Sequence, residues 1–184
     1  VFPLENSGRH LSMYDPATNK WTLISTCFQT HHLIFAEDAN QTVWTSSVFG
    51  TGVIGWLNRK MFEETGDEER SQGWTPLILD TNGNGKRDAY VEPDQATDPT
   101  KDKRVLVTTY AVATTPADGA VWGTGVAYPG RIVRVAPGAD PSTTALAEIY
   151  QVPLPGYSPR GGDVPSDEGS ARAVISSANL TRGG

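Results

Sequence analysis

The sequence has little cysteine, no cluster of basic residues and no long apolar run. Its single cysteine, Cys27, excludes a framework of internal disulfide bonds and leaves the redox compartment open. The 15 basic residues are scattered and are outnumbered by 21 acidic ones, which gives a net charge of −6 at pH 7. We therefore do not expect nucleic acid as the main partner. Because no stretch of about 18 apolar residues is present, we do not expect a membrane-spanning helix either.

The chain also lacks a long amphipathic helical pattern, and it begins at Val1 without the apolar core of a signal peptide. We expect a processed protein or an excised part of a longer one. The 184 residues are enough for one domain with a substantial core. Glycine and proline are plentiful, with 19 and 13 residues, which favours short strands joined by frequent turns.

What the sequence does contain is a pattern that occurs three times: a short strand, a polar turn and a second strand. The first copy, THHLIFAEDANQTVWTSS, occupies residues 30–47. The second and third copies occupy residues 110–126 and 160–177. A period of roughly 40 to 50 residues built from short strands is typical of the blades of a β-propeller.

The three copies share one internal spacing. Their second strands align on Trp44, Trp122 and Arg172. The residues twelve positions earlier are His32, Tyr110 and Arg160. Two further hairpins, at residues 10–24 and 130–150, have the pattern of third and outer strands, so we expect four strands in each complete repeat.

The sequence therefore predicts an all-β fold, a β-propeller of four-stranded antiparallel blades, in a single region that covers residues 1–184. Its predicted parts are a half blade at 1–25, a blade at 26–105 with an insertion at 58–103, a blade at 106–156 and a half blade at 157–184. In the insertion, we expect a short surface helix at 59–70 and a strand at 74–79. Because half blades leave unpaired strand edges at both ends, we expect either the remainder of a larger propeller or a homodimer that closes head to tail.

The insertion contains a segment, DTNGNGKRD, that matches a calcium-binding loop of the EF-hand type. The oxygen ligands would come from the side chains of Asp80, Asn82, Asn84 and Asp88 and from the Lys86 carbonyl. Gly85 would allow the sharp bend between them. The position where an EF-hand has its bidentate glutamate is Val91, so Glu92 is the candidate for that role, with Asp94 and Asp98 as alternatives. We predict a structural Ca²⁺ of modest affinity. The alternative is a polar surface turn that binds no metal.

His32, Tyr110 and Arg160 are expected at the mouth of the central channel, because the innermost strand of each blade lines the axis. Histidine can act as an acid or a base near neutral pH, arginine can hold a carboxylate with two hydrogen bonds, and tyrosine can donate a proton. The three residues are therefore candidates for catalysis or ligand binding. The alternative is that they are polar residues that only line a water-filled channel.

Cys27 and His31 raise the alternative of a transition-metal site. Because adjacent residues of a strand point to opposite faces, His31 and His32 are not expected to share one metal ion, and Cys27 is expected to pack as a small buried residue. Four tryptophans are expected to pack between blades rather than to bind a ligand: Trp21, Trp44, Trp56 and Trp122.

The segments HHLIFAEDANQTVWTSS and ADGAVWGTGV…GRIVRV resemble the blades of the streptogramin lyase (virginiamycin B lyase)-like propellers, which repeat a pattern close to P-H-G-I-x-x-D-x-x-G-x-V-W-F-T-E. The resemblance covers three repeats, most of the chain outside residues 58–104. It implies a bladed ring and, in the enzymes of that group, a magnesium-assisted lyase that opens a cyclic depsipeptide ester by elimination, with an axial histidine as base. His32 matches the histidine of the pattern, and Arg160-Gly161 takes the place of His-Gly in its own repeat.

The sequence departs from that pattern at the glutamate that follows the tryptophan by three residues. The corresponding positions hold Ser47, Gly125 and Ile175, so the carboxylate from which the lyases bind their metal is not present in these repeats.

Three functions are expected from these observations. The first is a secreted or periplasmic, calcium-stabilised propeller that binds a small-molecule or peptide-like ligand at the channel mouth. The second is a lyase or hydrolase, with Mg²⁺ if it is a lyase, in which His32 is the general base, Arg160 binds an anionic group and Tyr110 donates a proton. The third is a scaffold subunit of a larger extracellular assembly.

Overall fold

The computed structural model describes Leu4, residues 7–47 and 50–165, and the short backbone segments 175–176 and 179–180. Strands account for 42% and helices for 8%, which confirms the predicted all-β class. In the described part of the chain, neither helix has the length and apolar composition that a membrane crossing requires.

The first element is a hairpin of β1 (His10–Asp15) and β2 (Lys20–Ser25). Asp15 accepts hydrogen bonds from the Ala17 N–H at 2.9 Å and from the Thr18 hydroxyl at 2.6 Å, so the predicted turn forms through ordinary turn chemistry. The expectation that Trp21 is packed between repeats is wrong. Its side chain is 69% exposed and contacts only the hairpin partner Tyr14 among aromatic rings of the described residues, at 5.0 Å, because β2 presents this face to solvent.

Residues 33–79 form an antiparallel meander, called here the first meander. Its four strands are β3 (Leu33–Phe35), β4 (Thr42–Thr45), β5 (Val53–Asn58) and β6 (Gln72–Leu79). Helix α1 (Arg59–Thr65) joins β5 to β6, within the range where the sequence predicts a short surface helix. The helix begins after Asn58, whose side chain accepts a hydrogen bond from the Met61 N–H at 2.9 Å, and ends at Gly66, which has a φ of 67°.

The second meander follows two short strands, β7 (Tyr90–Val91) and β8 (Asp102–Val105). Its own four antiparallel strands are β9 (Thr109–Thr114), β10 (Val121–Gly125), β11 (Arg131–Ala136) and β12 (Leu146–Gln151), with helix α2 (Pro141–Thr144) before the last. Two short antiparallel pairs come last: β13 (Gly156–Tyr157) with β16 (Asn179–Leu180), and β14 (Gly162–Asp163) with β15 (Ile175–Ser176).

The two meanders belong to one sheet that is nearly closed. Their outer strands, β6 and β12, are joined by a single parallel bridge between Leu79 and Ala147. At the opposite end of the strand order, the first strands β3 and β9 lie against each other. The sheet is therefore barrel-like.

The main core fills the space between the two meanders. It consists of buried aliphatic side chains from both, together with Trp44, which is 5% exposed. Ile54, Leu77, Val121 and Val133 are at most 1% exposed, and each such side chain contributes about 1.5–3 kcal/mol through the removal of apolar surface from water. A second, smaller core attaches the hairpin to the first meander through Leu11, Ile24, Val43, Leu57 and Phe62.

The tryptophans of the two meanders have different cross-strand partners. Trp44 lies opposite Trp56, with 5.6 Å between ring centroids. Trp56 in turn lies opposite Gly73, where a Cβ atom would stand 2.3 Å from the indole, so only glycine leaves room for that ring. Trp122 lies opposite Arg134, whose guanidinium is 5.9 Å from the indole centroid.

Candidate functional site

Two buried hydroxyl groups fix the positions of the candidate site residues. The first belongs to Ser46, which is fully buried just after β4. Its main-chain N–H donates to the His32 carbonyl at 2.9 Å, and its hydroxyl accepts from the His32 N–H at 3.1 Å. The same hydroxyl donates to the carbonyl oxygen of Tyr110, which belongs to the next repeat.

The second hydroxyl belongs to Thr124, which is 3% exposed in β10. It accepts a hydrogen bond from the Ala111 N–H at 3.0 Å and donates to the Arg160 carbonyl at 3.2 Å. Ser46 and Thr124 each follow the tryptophan of their own repeat by two residues. We call these two contacts the hydroxyl straps. The same chemistry therefore links the first repeat to Tyr110 of the second and the second repeat to Arg160 of the third.

The hydroxyl straps bring His32, Tyr110 and Arg160 together, although 78 and 50 residues separate them along the chain. The His32 and Tyr110 rings have centroids 4.6 Å apart, and the Arg160 guanidinium carbon lies 5.5 Å from the centre of the Tyr110 ring. The arrangement places an imidazole and a guanidinium against one phenol ring. The catalytic role of these residues stays a prediction.

His31 is a fourth member that sequence reasoning placed elsewhere. Its ring centroid lies 4.5 Å from that of His32 and 4.8 Å from that of Tyr110. The expectation that the two histidines point apart assumed a regular strand through both. In the structure β3 begins only at Leu33, so the alternation of side chains does not yet apply at His31 and His32. No pattern in the sequence indicates that the strand begins only at Leu33.

The electrostatics of this cluster favour an anion. Burial lowers the pKa of His32 below its usual value, and the nearby His31 lowers it further. His32 is therefore neutral at pH 7 and offers a ring nitrogen as an acceptor beside the cationic guanidinium group of Arg160. Of the ion pairs that the described residues form, none involves His31, His32 or Arg160. Arg160 is an exposed residue.

A cavity of about 320 Å³ lies between the first strands of successive repeats. Its lining includes Ile34 from β3, Val112 from β9 and Gly162 from β14. Three strands from three repeats thus border one space, and each of these three lining residues follows a residue of the cluster by two positions in the sequence. The cluster and the cavity lie along the same set of strands.

The predicted calcium loop folds into a tight turn around Asp80. One carboxylate oxygen accepts hydrogen bonds from the N–H groups of Gly83 (2.7 Å) and Asn84 (3.2 Å), and the other accepts from Gly85 at 2.7 Å. Gly85 has a φ of 73°, a conformation in which glycine is not strained. The Asp80 carboxylate therefore fixes the turn through three main-chain hydrogen bonds.

The two asparagines of this loop are arranged around Asp88. Their amide nitrogens donate to one Asp88 oxygen, at 2.9 Å from Asn82 and 2.6 Å from Asn84. These two hydrogen bonds lower the pKa of Asp88 below its usual value. Each amide oxygen accepts a hydrogen bond from one main-chain N–H group of the loop and so keeps a second lone pair.

The donor set fits Ca²⁺, which prefers carboxylate, amide and carbonyl oxygens. Among the described residues, no three His, Cys, Asp or Glu side chains stand together as a metal-binding group. Amide and main-chain oxygens make up half of the predicted set, and the other half is the carboxylates of Asp80, Asp88 and Glu92. Glu92, the predicted closing ligand, is instead held by Arg104 in an ion pair of 3.0 Å.

The residues present do not fit a Mg²⁺ ion for lyase chemistry. Ser47 and Gly125 are buried where the pattern of the lyases has glutamate, and the side chain of Ile175 lies outside the described residues, as does Arg172.

Burial raises the pKa of the Cys27 thiol, which disfavours the thiolate that a metal requires. The structure therefore gives no support to the alternative metal site at Cys27 and His31.

Comparison of the chain with protein family models, with curated proteins and with solved structures found no match.

The hydroxyl straps give a prediction for stability. Replacing Thr124 by valine keeps the side-chain shape but leaves the Arg160 carbonyl and the Ala111 N–H without their partner. We expect a loss of about 1–3 kcal/mol in the free energy of unfolding, measured with urea. Thr45→Val is the matched control, because Thr45 is also fully buried but its only hydroxyl bond in the described part is a long one of 3.5 Å within its own meander. Equal losses in the two variants would contradict the importance of the strap.

The histidine pair gives a prediction for pH. Replacing His31 by glutamine should raise the pKa of His32 part of the way towards 6.5, because the repulsion disappears whereas burial remains. A lowered folded-state pKa means that stability is complete above pH 6.5 and is lost as the pH falls towards the folded value. The variant should therefore lose less stability in that window. NMR titration of the His32 ring measures the shift, with His10→Gln as control; an unchanged or lower His32 pKa in His31→Gln would contradict it.

Proposed function

We propose that the chain forms three blades' worth of a β-propeller that binds a carboxylate-bearing ligand at its central channel. The two meanders are the complete blades, and β1–β2 and β14–β15 belong to incomplete ones. The observations that support this assignment are the four-stranded antiparallel order of each meander, the adjacency of β3 and β9, and the hydroxyl straps between successive repeats.

The proposed binding function rests on the cluster of His31, His32, Tyr110 and Arg160. Tyr110 supports the Arg160 guanidinium from one side at 5.5 Å, which restricts its orientation. A carboxylate can then accept two hydrogen bonds from the guanidinium at little further cost in side-chain entropy. The neutral imidazole of His32 can donate a further hydrogen bond to the same anion. An exposed cationic and aromatic group beside a cavity suits a small or peptide-like acid.

A test uses simple anions as probes. Acetate and glutarate should shift the ring resonances of His32 in a saturable manner, with millimolar dissociation constants for the dicarboxylate. Arg160→Gln should weaken this binding at least about tenfold, because it removes a charge-assisted pair of hydrogen bonds worth about 1.5–3 kcal/mol. Arg131→Gln removes an equally positive, exposed arginine on β11 and should leave the affinity unchanged. Equal affinities in all three proteins would reject the site.

One observation favours a second candidate function, hydrolysis or elimination at an ester. His32 has a lowered pKa and is neutral at pH 7, which is the form that a general base requires. Arg160 would then hold an anionic substrate group, and Tyr110 would donate a proton to the leaving group. No metal-dependent step is included, since the residues for Mg²⁺ do not fit.

A structural role for Ca²⁺ is the second part of the proposal. The loop around Asp80 belongs to a segment, residues 80–101, that contains one short strand, β7, and one buried residue, Val91. A cation would connect main-chain and side-chain oxygens that are already held by the turn. This role suits a calcium-rich setting, so we propose secretion or a periplasmic location.

The calcium proposal predicts ligand-dependent stability. Ca²⁺ at 100 times its dissociation constant should raise the free energy of unfolding by about 2.7 kcal/mol. Asp80→Ala should abolish this gain, as measured by the melting temperature with and without Ca²⁺. Asp94→Ala is the control, because Asp94 is exposed in the same segment and should keep the full gain. A gain that persists in Asp80→Ala would show that the loop is not the site.

A further inference from the structure

We propose that Asp102, at the start of β8, supplies the acidic ligand that the calcium loop lacks at its end. The inference rests on the proposed calcium site and names the residue that completes it. Sequence reasoning looked for this ligand immediately after the loop, at Glu92, Asp94 or Asp98. The structure points to a carboxylate from the strand that lies beside the loop.

The Asp102 carboxylate is held against the ninth position of the loop. Its Oδ2 accepts a hydrogen bond of 2.7 Å from the main-chain N–H of Asp88. The Asp102 N–H donates to the Ala89 carbonyl at 3.0 Å, and Asp102 pairs with Tyr90 in the parallel ladder of β7 and β8. These contacts fix both the backbone and the side chain of Asp102 at the end of the loop.

The other oxygen of this carboxylate has no partner among the described residues. Asp102 is 0% exposed, and its Oδ1 is buried without a hydrogen bond. No ion pair within the described ranges involves Asp102. A buried carboxylate is tolerated when it is paired, protonated or bound to a metal. Because Oδ1 and Oδ2 share one carbon, the unpartnered oxygen lies beside the same loop.

The carboxylates that follow the loop in sequence have other roles. The Glu92 carboxylate accepts from the Arg104 guanidinium at 3.0 Å. Asp98 accepts from the Thr100 N–H and hydroxyl and lies 3.6 Å from the Lys101 ammonium. Asp94 is exposed. Asp102 is the one of these four acids that combines full burial with an unpartnered oxygen.

Addition of Asp102 gives the loop an oxygen set suited to Ca²⁺. The set would contain carboxylate oxygens from Asp80 and Asp102, amide oxygens from Asn82 and Asn84, and the Lys86 carbonyl, with Asp88 acting directly or through water. The binding would also connect distant parts of the chain. β8 pairs with β6 of the first meander, so a cation held by Asp102 would fasten the loop to that sheet.

The experiment measures Ca²⁺ binding to the full chain by calorimetry and by the Ca²⁺-dependent melting temperature. Asp102→Asn keeps the shape and an acceptor for the Asp88 N–H but removes the charge. We expect at least about a tenfold loss of Ca²⁺ affinity, because affinity follows the number of charged ligands. Glu64→Gln removes the same charge from an exposed position on α1, outside the loop segment, and should bind Ca²⁺ as the unchanged protein does.

The outcomes separate this inference from the calcium proposal itself. If Asp80→Ala loses Ca²⁺ binding and Asp102→Asn keeps it, the loop is the site and Asp102 is not its ligand. If the unchanged protein binds no Ca²⁺, both proposals fail. If Asp102→Asn does not fold, the side-chain carbonyl ¹³C resonance of Asp102 in the unchanged protein decides. A shift that follows Ca²⁺ occupancy supports the inference, and a constant resonance alongside a moving Asp80 resonance overturns it.

Discussion

The hydroxyl straps are the interaction on which the arrangement of the candidate site depends. Ser46 and Thr124 are each buried, and each satisfies an N–H of its own repeat while it donates to a carbonyl of the next. Removal of a buried partner leaves polar groups unsatisfied, so these joints are costly to break. Hydrophobic burial alone would allow one repeat to slide against another, because it is not directional. The hydrogen bonds fix where each first strand begins.

Much of the fold could be predicted from local patterns. The hairpin β1–β2, helix α1 and strand β6 follow from turn residues, capping residues and alternation, which act over a few residues. The constant spacing of twelve residues between His32 and Trp44, and between Tyr110 and Trp122, was sufficient to predict that His32, Tyr110 and Arg160 lie close together, as the ring contacts show. The catalytic or binding role of the three does not follow from that spacing.

Other features depend on tertiary contacts that a linear pattern does not contain. His31 joins the cluster because β3 begins only at Leu33, so that both histidines precede the strand. Trp21 is exposed because nothing in the described chain covers its face of the hairpin. Asp102 has no motif around it, and its significance arises only from burial and from its contact with Asp88. In each case the deciding quantity is what surrounds the side chain, and this is set by residues far away in the chain.

The acceptor in each hydroxyl strap is a main-chain carbonyl oxygen. Every residue type carries that oxygen, so the joint between repeats places no demand on the side chain at the accepting position. Imidazole, phenol and guanidinium can occupy equivalent places without any change in how the repeats are fastened. A substitution at one of these positions would therefore change the chemistry of the cluster and leave the hydrogen bonds between the repeats in place.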